Sequence, residues 1–205
     1  CQCSNEAIFY AGFGYDNIQI SNATHPELNK YNGMFLSEIA EELGVSPFQV
    51  TMDFSEKTGG RASVLNHNYS NMEVMDALIR YPRCLFMTDT VVNPEGGIQN
   101  PARFGNFPRL LQFARDRKLV SLEEVVRKMT GASAERFKIK DRGVLQEGLA
   151  ADITVFNWDT VKDNNTVKET DKSPTGIEAV FVNGRQVKKS SQVKADIHSG
   201  SVLPV

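Results

Sequence analysis

Short apolar runs alternate with amphipathic segments through residues 1 to about 138, and from 139 to 205 the pattern turns to strands. That change constrains the fold more than any other feature. The first stretch has the rhythm of βα units. Asn17-Ile18-Gln19-Ile20-Ser21 is a strand candidate after the Gly12-Phe13-Gly14 turn, and Val64-Leu65-Asn66-His67 ends another. Gly33 to Leu43 is expected to be helical, with Phe35, Leu36, Ile39, Ala40 and Leu43 on one face and Gly44 as its C-cap. Ser46-Pro47 opens the next helix as N-cap and first-turn proline. Ser70 precedes a helix with Met72, Met75, Leu78 and Ile79 inward, ended by Pro82. Pro108 to Arg117 is a further helix, and Ser121-Leu122-Glu123-Glu124 is a capping box that opens another.

The tail reads differently. Ile153 to Trp158 and Ile177 to Val182 are strands, and Asn183-Gly184 is the type I′ hairpin signal leading into Arg185-Gln186-Val187. Asp159 to Ser173 is polar and charged, as a surface loop would be. Domains are therefore expected at 1–138 and 139–205.

One run stands out within the first region. Cys84-Leu85-Phe86-Met87-Thr88 has the length of a buried parallel strand, lies after Pro82, and ends on Asp89 above a loop of Thr90-Val91-Val92-Asn93-Pro94-Glu95-Gly96-Gly97. In a (β/α) barrel the C-terminal ends of strands carry the catalytic groups. The competing reading makes Asp89 a turn or helix cap.

Composition excludes several classes. With 205 residues, 40% hydrophobic and 9% aromatic, the chain can build a core. A net charge of -2 gives no electrostatic case for nucleic acid or a membrane surface. The apolar runs are all shorter than a membrane span. Cys1, Cys3 and Cys84 form no disulfide framework, which favours a reducing cytoplasm. Cys84 is expected to pack as a small hydrophobe, and Met72, Met75, Met87 and Met129 have the spacing of core residues.

Three blocks carry a resemblance. They are Phe86-Met87-Thr88-Asp89; Asn100-Pro101-Ala102-Arg103-Phe104-Gly105-Asn106-Phe107-Pro108-Arg109-Leu110-Leu111; and the series from Leu122 to Thr130, Asp141-Arg142-Gly143, Glu147 to Phe156 and Val182-Asn183-Gly184. Together they resemble the N-acyl-D-amino-acid deacylases (D-aminoacylases) of the amidohydrolase superfamily. The second block is similar to the family's His-Pro-Arg-x-Tyr-Gly-Thr-Phe-Pro-Arg-x-Leu. The resemblance covers most of residues 10 to 205 and corresponds to the C-terminal part of such an enzyme.

The resemblance implies an α/β fold: the C-terminal portion of a (β/α)8 amidohydrolase barrel followed by a β-rich sandwich tail. It also implies hydrolysis of the amide of N-acyl-D-amino acids, with Asp89 as general base and acid. Arg103 stands one position after the family's arginine that grips the substrate carboxylate, a task suited to a planar guanidinium; a surface ion pair is its alternative. His67, after a predicted strand, is a second substrate-binding candidate, or else a turn or capping residue. His25 and His198 are expected to be solvated. Arg109 is expected to pair with a carboxylate beneath the site, and Asp152 to fix a turn.

Zinc is the cofactor the family uses, held by histidines on earlier barrel strands. Here no His-x-His occurs and only His25, His67 and His198 are present, so no metal ligand is assigned. The start at Cys1, without an initiator Met, reads as a fragment of a larger polypeptide that is inactive alone. An open strand edge in the tail would lead the fragment to self-associate or to pair with a partner supplying strands. Two alternatives stay open: another amidohydrolase, such as a dihydroorotase, hydantoinase or dipeptidase, and a non-catalytic scaffold.

Overall fold

The computed structural model describes residues 14–68, 71–90, 94 and 96–203. The Gly12-Phe13 part of the expected first turn, Ser70, and most of the loop after Thr90 lie outside them. The fold mixes helix and sheet. Two units pack internally: residues 1–71, 90–103 and 166–171 form the first, and 72–89, 104–165 and 172–205 the second.

The first unit is built on β1 (Ile18–Asn22), which pairs antiparallel with β2 (Ser63–Asn66). All five β1 residues are buried, so this strand is covered on both faces and does not alternate with solvent. Ile18 and Ile20 pack with Leu36, Ile39 and Ala40 of α1 (Leu36–Leu43) and Val50 and Phe54 of α2 (Pro47–Thr58). Each such aliphatic side chain, fully buried, is worth about 1.5–3 kcal/mol. Helix α1 starts at Leu36, three residues later than its apolar pattern predicts. Residues 33–35 are already committed to β1: Gly33 N donates to Ile20 O (2.8 Å), Ile20 N to Met34 O (2.9 Å), and Phe35 bridges Gln19. Leu43, expected inward, is exposed. The caps follow the sequence: Gly44 is left-handed at φ 66, and Ser46 Oγ accepts from Gln49 N at 3.1 Å.

In the second unit α3 (Met72–Arg80) buries only Ile79; Met72 and Leu78 are exposed, and Met75 is half-buried. The expected strand Cys84–Asp89 is instead a segment without regular secondary structure, with no ladder partner among the described residues. A buried strand needs neighbours for its N–H and C=O groups. Phe86, half-buried, packs against two apolar clusters, while Met87 is exposed and Cys84 only half-buried.

Helix α4 (Ala102–Asp116) begins six residues before the expected Pro108, because Asn100 starts it: its Oδ1 accepts from Ala102 N (2.9 Å) and its carbonyl from Arg103 N (3.0 Å). Pro108 thus sits inside a helix, where it supplies no N–H to the ladder. Ser121 Oγ caps α5 (Leu122–Met129), and α6 (Gly131–Arg136) follows.

The tail forms one antiparallel sheet of β3 (Ile153–Phe156), β4 (Ile177–Val182), β5 (Arg185–Lys189) and β6 (Gln192–Val193), in that order. The β4–β5 turn carries Asn183 and Gly184 at φ 47 and 76, as a type I′ turn requires. Asp152 fixes that turn: its Oδ1 accepts from Asn183 N (2.7 Å), and Arg142 donates to its other oxygen. The stretch 159–173 is less superficial than its polarity implies, since Val161, Asp163, Asn165 and Thr170 are buried. The expected boundary between 138 and 139 falls inside the second unit, after the last residue of α6.

Candidate active site

Asp89 closes this irregular run and is exposed. The two residues before it are held from α4. Asn106 Nδ2 donates to the Met87 carbonyl at 2.7 Å and to Thr88 Oγ1 at 2.8 Å. One turn of helix thus fixes the backbone from which the carboxylate projects. Below, Lys128 is fully buried; its Nζ donates at 2.6 Å to both Ile79 O and Tyr81 O and lies 5.8 Å from the Phe86 ring centroid. The ammonium satisfies carbonyls at the C-terminal end of α3, where a cation is favoured.

Helix α4 is also tied to residues 158–165. Arg109 pairs with Asp163, and the carboxylate also accepts from Asn165 N (3.0 Å) and Nδ2 (2.6 Å). Arg115 Nη1 donates to Trp158 O (2.7 Å) and Val161 O (2.9 Å). Gly105 lies flat against Asp163, and a methyl group there would come within 2.2 Å of its carboxylate. The pairing expected of Arg109 is present, with Asp163 as the carboxylate.

Arg103 lies in the first turn of α4, not in the preceding loop, and is exposed. His67 follows β2. Its Nε2 meets Gln19 Oε1 at 2.9 Å, and its ring is 5.4 Å from that of Phe35. Gln19 is wholly buried, and its Nε2 is spent on Gly33 O (2.9 Å) and Val167 O (2.7 Å), so its amide oxygen faces a ring N–H on His67. Partial burial pushes the imidazole below its ordinary value. Asp89 belongs to the second unit, and His67 and Arg103 to the first.

The sequence reading missed Asn106, because Asn within a Gly-Asn-Phe-Pro run reads as a loop residue. The Nδ1 of His25, expected in solvent, is buried with no hydrogen-bond partner among the described residues, as are Asn22 Nδ2 and Thr24 Oγ1. Thr24 has φ 53, uncommon for a β-branched residue. The signal for this burial was the Asn-Ala-Thr-His run directly after a buried strand.

An apolar groove of about 730 Å³ lies elsewhere in the second unit, lined by Phe107, Leu111, Val126, Met129, Val144 and Phe156 among others. None of Asp89, Arg103 and His67 lines it. Among the described residues no group of three or more His, Cys, Asp and Glu is disposed to hold a metal ion, so they do not fit a zinc site.

Comparison with known proteins bears on these residues as a set. Residues 12–188 match the Amidohydrolase family. The chain is 35% identical over 183 residues to a D-aminoacylase of Alcaligenes xylosoxydans xylosoxydans, covering 87% of this chain and 34% of that protein. It is 32% identical over 171 residues to the N-acyl-D-glutamate deacylase of the same organism, covering 82% and 33%. The crystal structure of N-acyl-D-glutamate deacylase from Bordetella bronchiseptica, complexed with zinc and a phosphonate mimic of the tetrahedral intermediate, superposes with a TM-score of 0.77 at 29% identity, covering 91% of this chain and 37% of that one. The chain thus spans about a third of the length of these relatives. It belongs to the amidohydrolase family, and within that family its similarity is to the D-aminoacylases and N-acyl-D-amino-acid deacylases.

Proposed function

We propose that this chain is the C-terminal part of an amidohydrolase that cleaves the amide bond of N-acyl-D-amino acids, releasing a carboxylate and a free D-amino acid. The observation that carries the reading is the similarity to D-aminoacylase along 87% of the chain, and within it we assign the acid–base role to the exposed carboxylate of Asp89. In this reading residues 1–138 complete a (β/α)8 barrel, and 139–205 form the β-rich tail of a sandwich whose other strands come from outside this chain.

The chemistry asked of Asp89 is proton transfer. Water attacks the amide carbonyl, the carboxylate takes a proton from that water, and it returns the proton to the amine nitrogen as the C–N bond breaks. A positioned carboxylate contributes on the order of 10²–10⁴ in rate to such a step. Arg103 is assigned to the substrate carboxylate, which a guanidinium can hold through two parallel bonds. His67 is assigned to the substrate as an imidazole whose Nε2 is engaged by Gln19. Zinc is the metal of the Bordetella relative; the described residues do not fit it, and we place its ligands outside them. No described helix is long and apolar enough to cross a membrane, and the proposed setting is the cytoplasm.

The test is a substrate panel on the full-length protein: N-acetyl-D-amino acids of different side chains against hydantoins and dihydroorotate. Turnover of the linear D-substrates supports the reading; turnover of the cyclic amides alone overturns it. The isolated 205-residue chain is expected to show neither turnover nor tightly bound zinc.

A further inference from the structure

The geometry points to Asn106 as a positioning residue that acts on Asp89 through Thr88 and Met87. This inference rests on the catalytic role proposed for Asp89 and adds a specific partner to it. Residues 84–90 take up no regular secondary structure and have no ladder partner among the described residues. The described restraints are few. Phe86, half-buried, packs against two apolar clusters three residues before Asp89, and Asn106 holds the next two residues.

The Asn106 contact is suited to the task. A single amide nitrogen supplies both hydrogens, one to a backbone carbonyl and one to a side-chain hydroxyl, so the Met87 peptide and the Thr88 side chain are fixed together. Fixing both sets the direction in which the next residue leaves the chain. The helix that carries Asn106 is itself held, since Gly105 and Arg109 on α4 engage the buried carboxylate of Asp163. A clamp on a rigid element can hold a reacting group to the tolerance that proton transfer needs. Asn106 is only half-buried, so its loss is expected to leave the fold in place.

The experiment is a double-mutant cycle in the full-length protein with Asn106→Ala, Thr88→Val and the pair, read as kcat and KM on an N-acetyl-D-amino acid, with Asp89→Asn as a parallel arm. A misplaced reacting group costs on the order of 10- to 100-fold. Asn106→Ala is therefore expected to lower kcat by that factor with KM unchanged, and to cost much less once Thr88 is already Val. An unaltered kcat, an additive cycle, or a loss expressed in KM instead of kcat overturns the inference. If Asn106→Ala does not fold, Thr88→Val decides alone: it removes one of the two acceptors, and a kcat equal to wild type counts against the clamp. If Asp89→Asn itself stays active, the proposed function has failed; if it is inactive while Asn106→Ala is normal, only the positioning role has.

Discussion

Arg109 turns two nitrogens, Nε at 2.7 Å and Nη2 at 2.6 Å, onto one oxygen of Asp163, whose side chain is only 2% exposed. The other oxygen takes both donors of Asn165. The guanidinium is 44% exposed, so the pair joins a buried anion to a cation that solvent still reaches. Breaking it from the Arg109 side leaves a buried carboxylate short of a charged donor. Arg109→Ala is expected to lower stability by about 1–2 kcal/mol, below the cost of a fully buried pair because of solvent screening. Urea unfolding checks this: the midpoint should fall with the slope unchanged.

Gly105 gives a prediction whose sign opposes helix propensity. Alanine is favoured over glycine inside a helix by about 1 kcal/mol. Here the added methyl would sit 2.2–2.5 Å from the Asp163 carboxylate. That side chain cannot swing aside without giving up Arg109 and Asn165. Gly105→Ala should therefore destabilise, by roughly 1–3 kcal/mol. A thermal midpoint at or above wild type would show that Asp163 yields at no cost.

Lys128 presents a choice between two effects. Removing it abolishes a buried charge, which alone would stabilise. It also leaves the carbonyls of Ile79 and Tyr81 without the donor they share. Two charge-assisted bonds at a helix C-terminus outweigh the relief, and Lys128→Met should cost about 2 kcal/mol. The check is again the urea midpoint. A more stable variant would mean that the buried ammonium is a net liability.

The sequence made much of this fold legible, and the failures have physical causes. Strand β1, the caps at Gly44, Ser46 and Ser121, and the Asn183-Gly184 hairpin were readable because each depends on local chemistry. The strand ending at Asp89 did not form because a strand is a property of its neighbours, and no pairing partner is present among the described residues. Helix α4 was placed too late because Pro108 looked like a start, while Asn100 was the real cap. For the candidate site, the end of the run at Asp89 was legible as a catalytic candidate from its place after an apolar run, and the resemblance supplied the role proposed for it. Asn106 and Asp163 were invisible because their roles depend on partners 18 to 58 residues away in the chain.

Acid should lower stability in two stages. Partial burial holds the folded His67 below its ordinary value of 6.5. The unfolded chain protonates first, so this contribution is complete above pH 6.5 and is lost as pH falls through the folded value. Glu38 follows lower down: the Phe35 N–H, aided by Lys168, holds it below 4.5, and that contribution disappears as pH falls below 4.5 through the folded value. Denaturation midpoints against pH should show both declines. His67→Gln should remove the upper one and leave the lower; an unchanged upper decline would assign it elsewhere.

Asp89 is proposed to move the proton in amide hydrolysis. The direct measurement is kcat of Asp89→Asn in the full-length protein on an N-acetyl-D-amino acid, with circular dichroism confirming an unchanged fold. Asparagine keeps the shape and cannot accept and return a proton at neutral pH, so kcat should fall by about 10²–10⁴. A turn-capping Asp89 predicts the opposite, since Asn caps as well as Asp. A variant that keeps more than about a tenth of wild-type kcat, less than the smallest loss expected of an acid–base residue, would contradict the account.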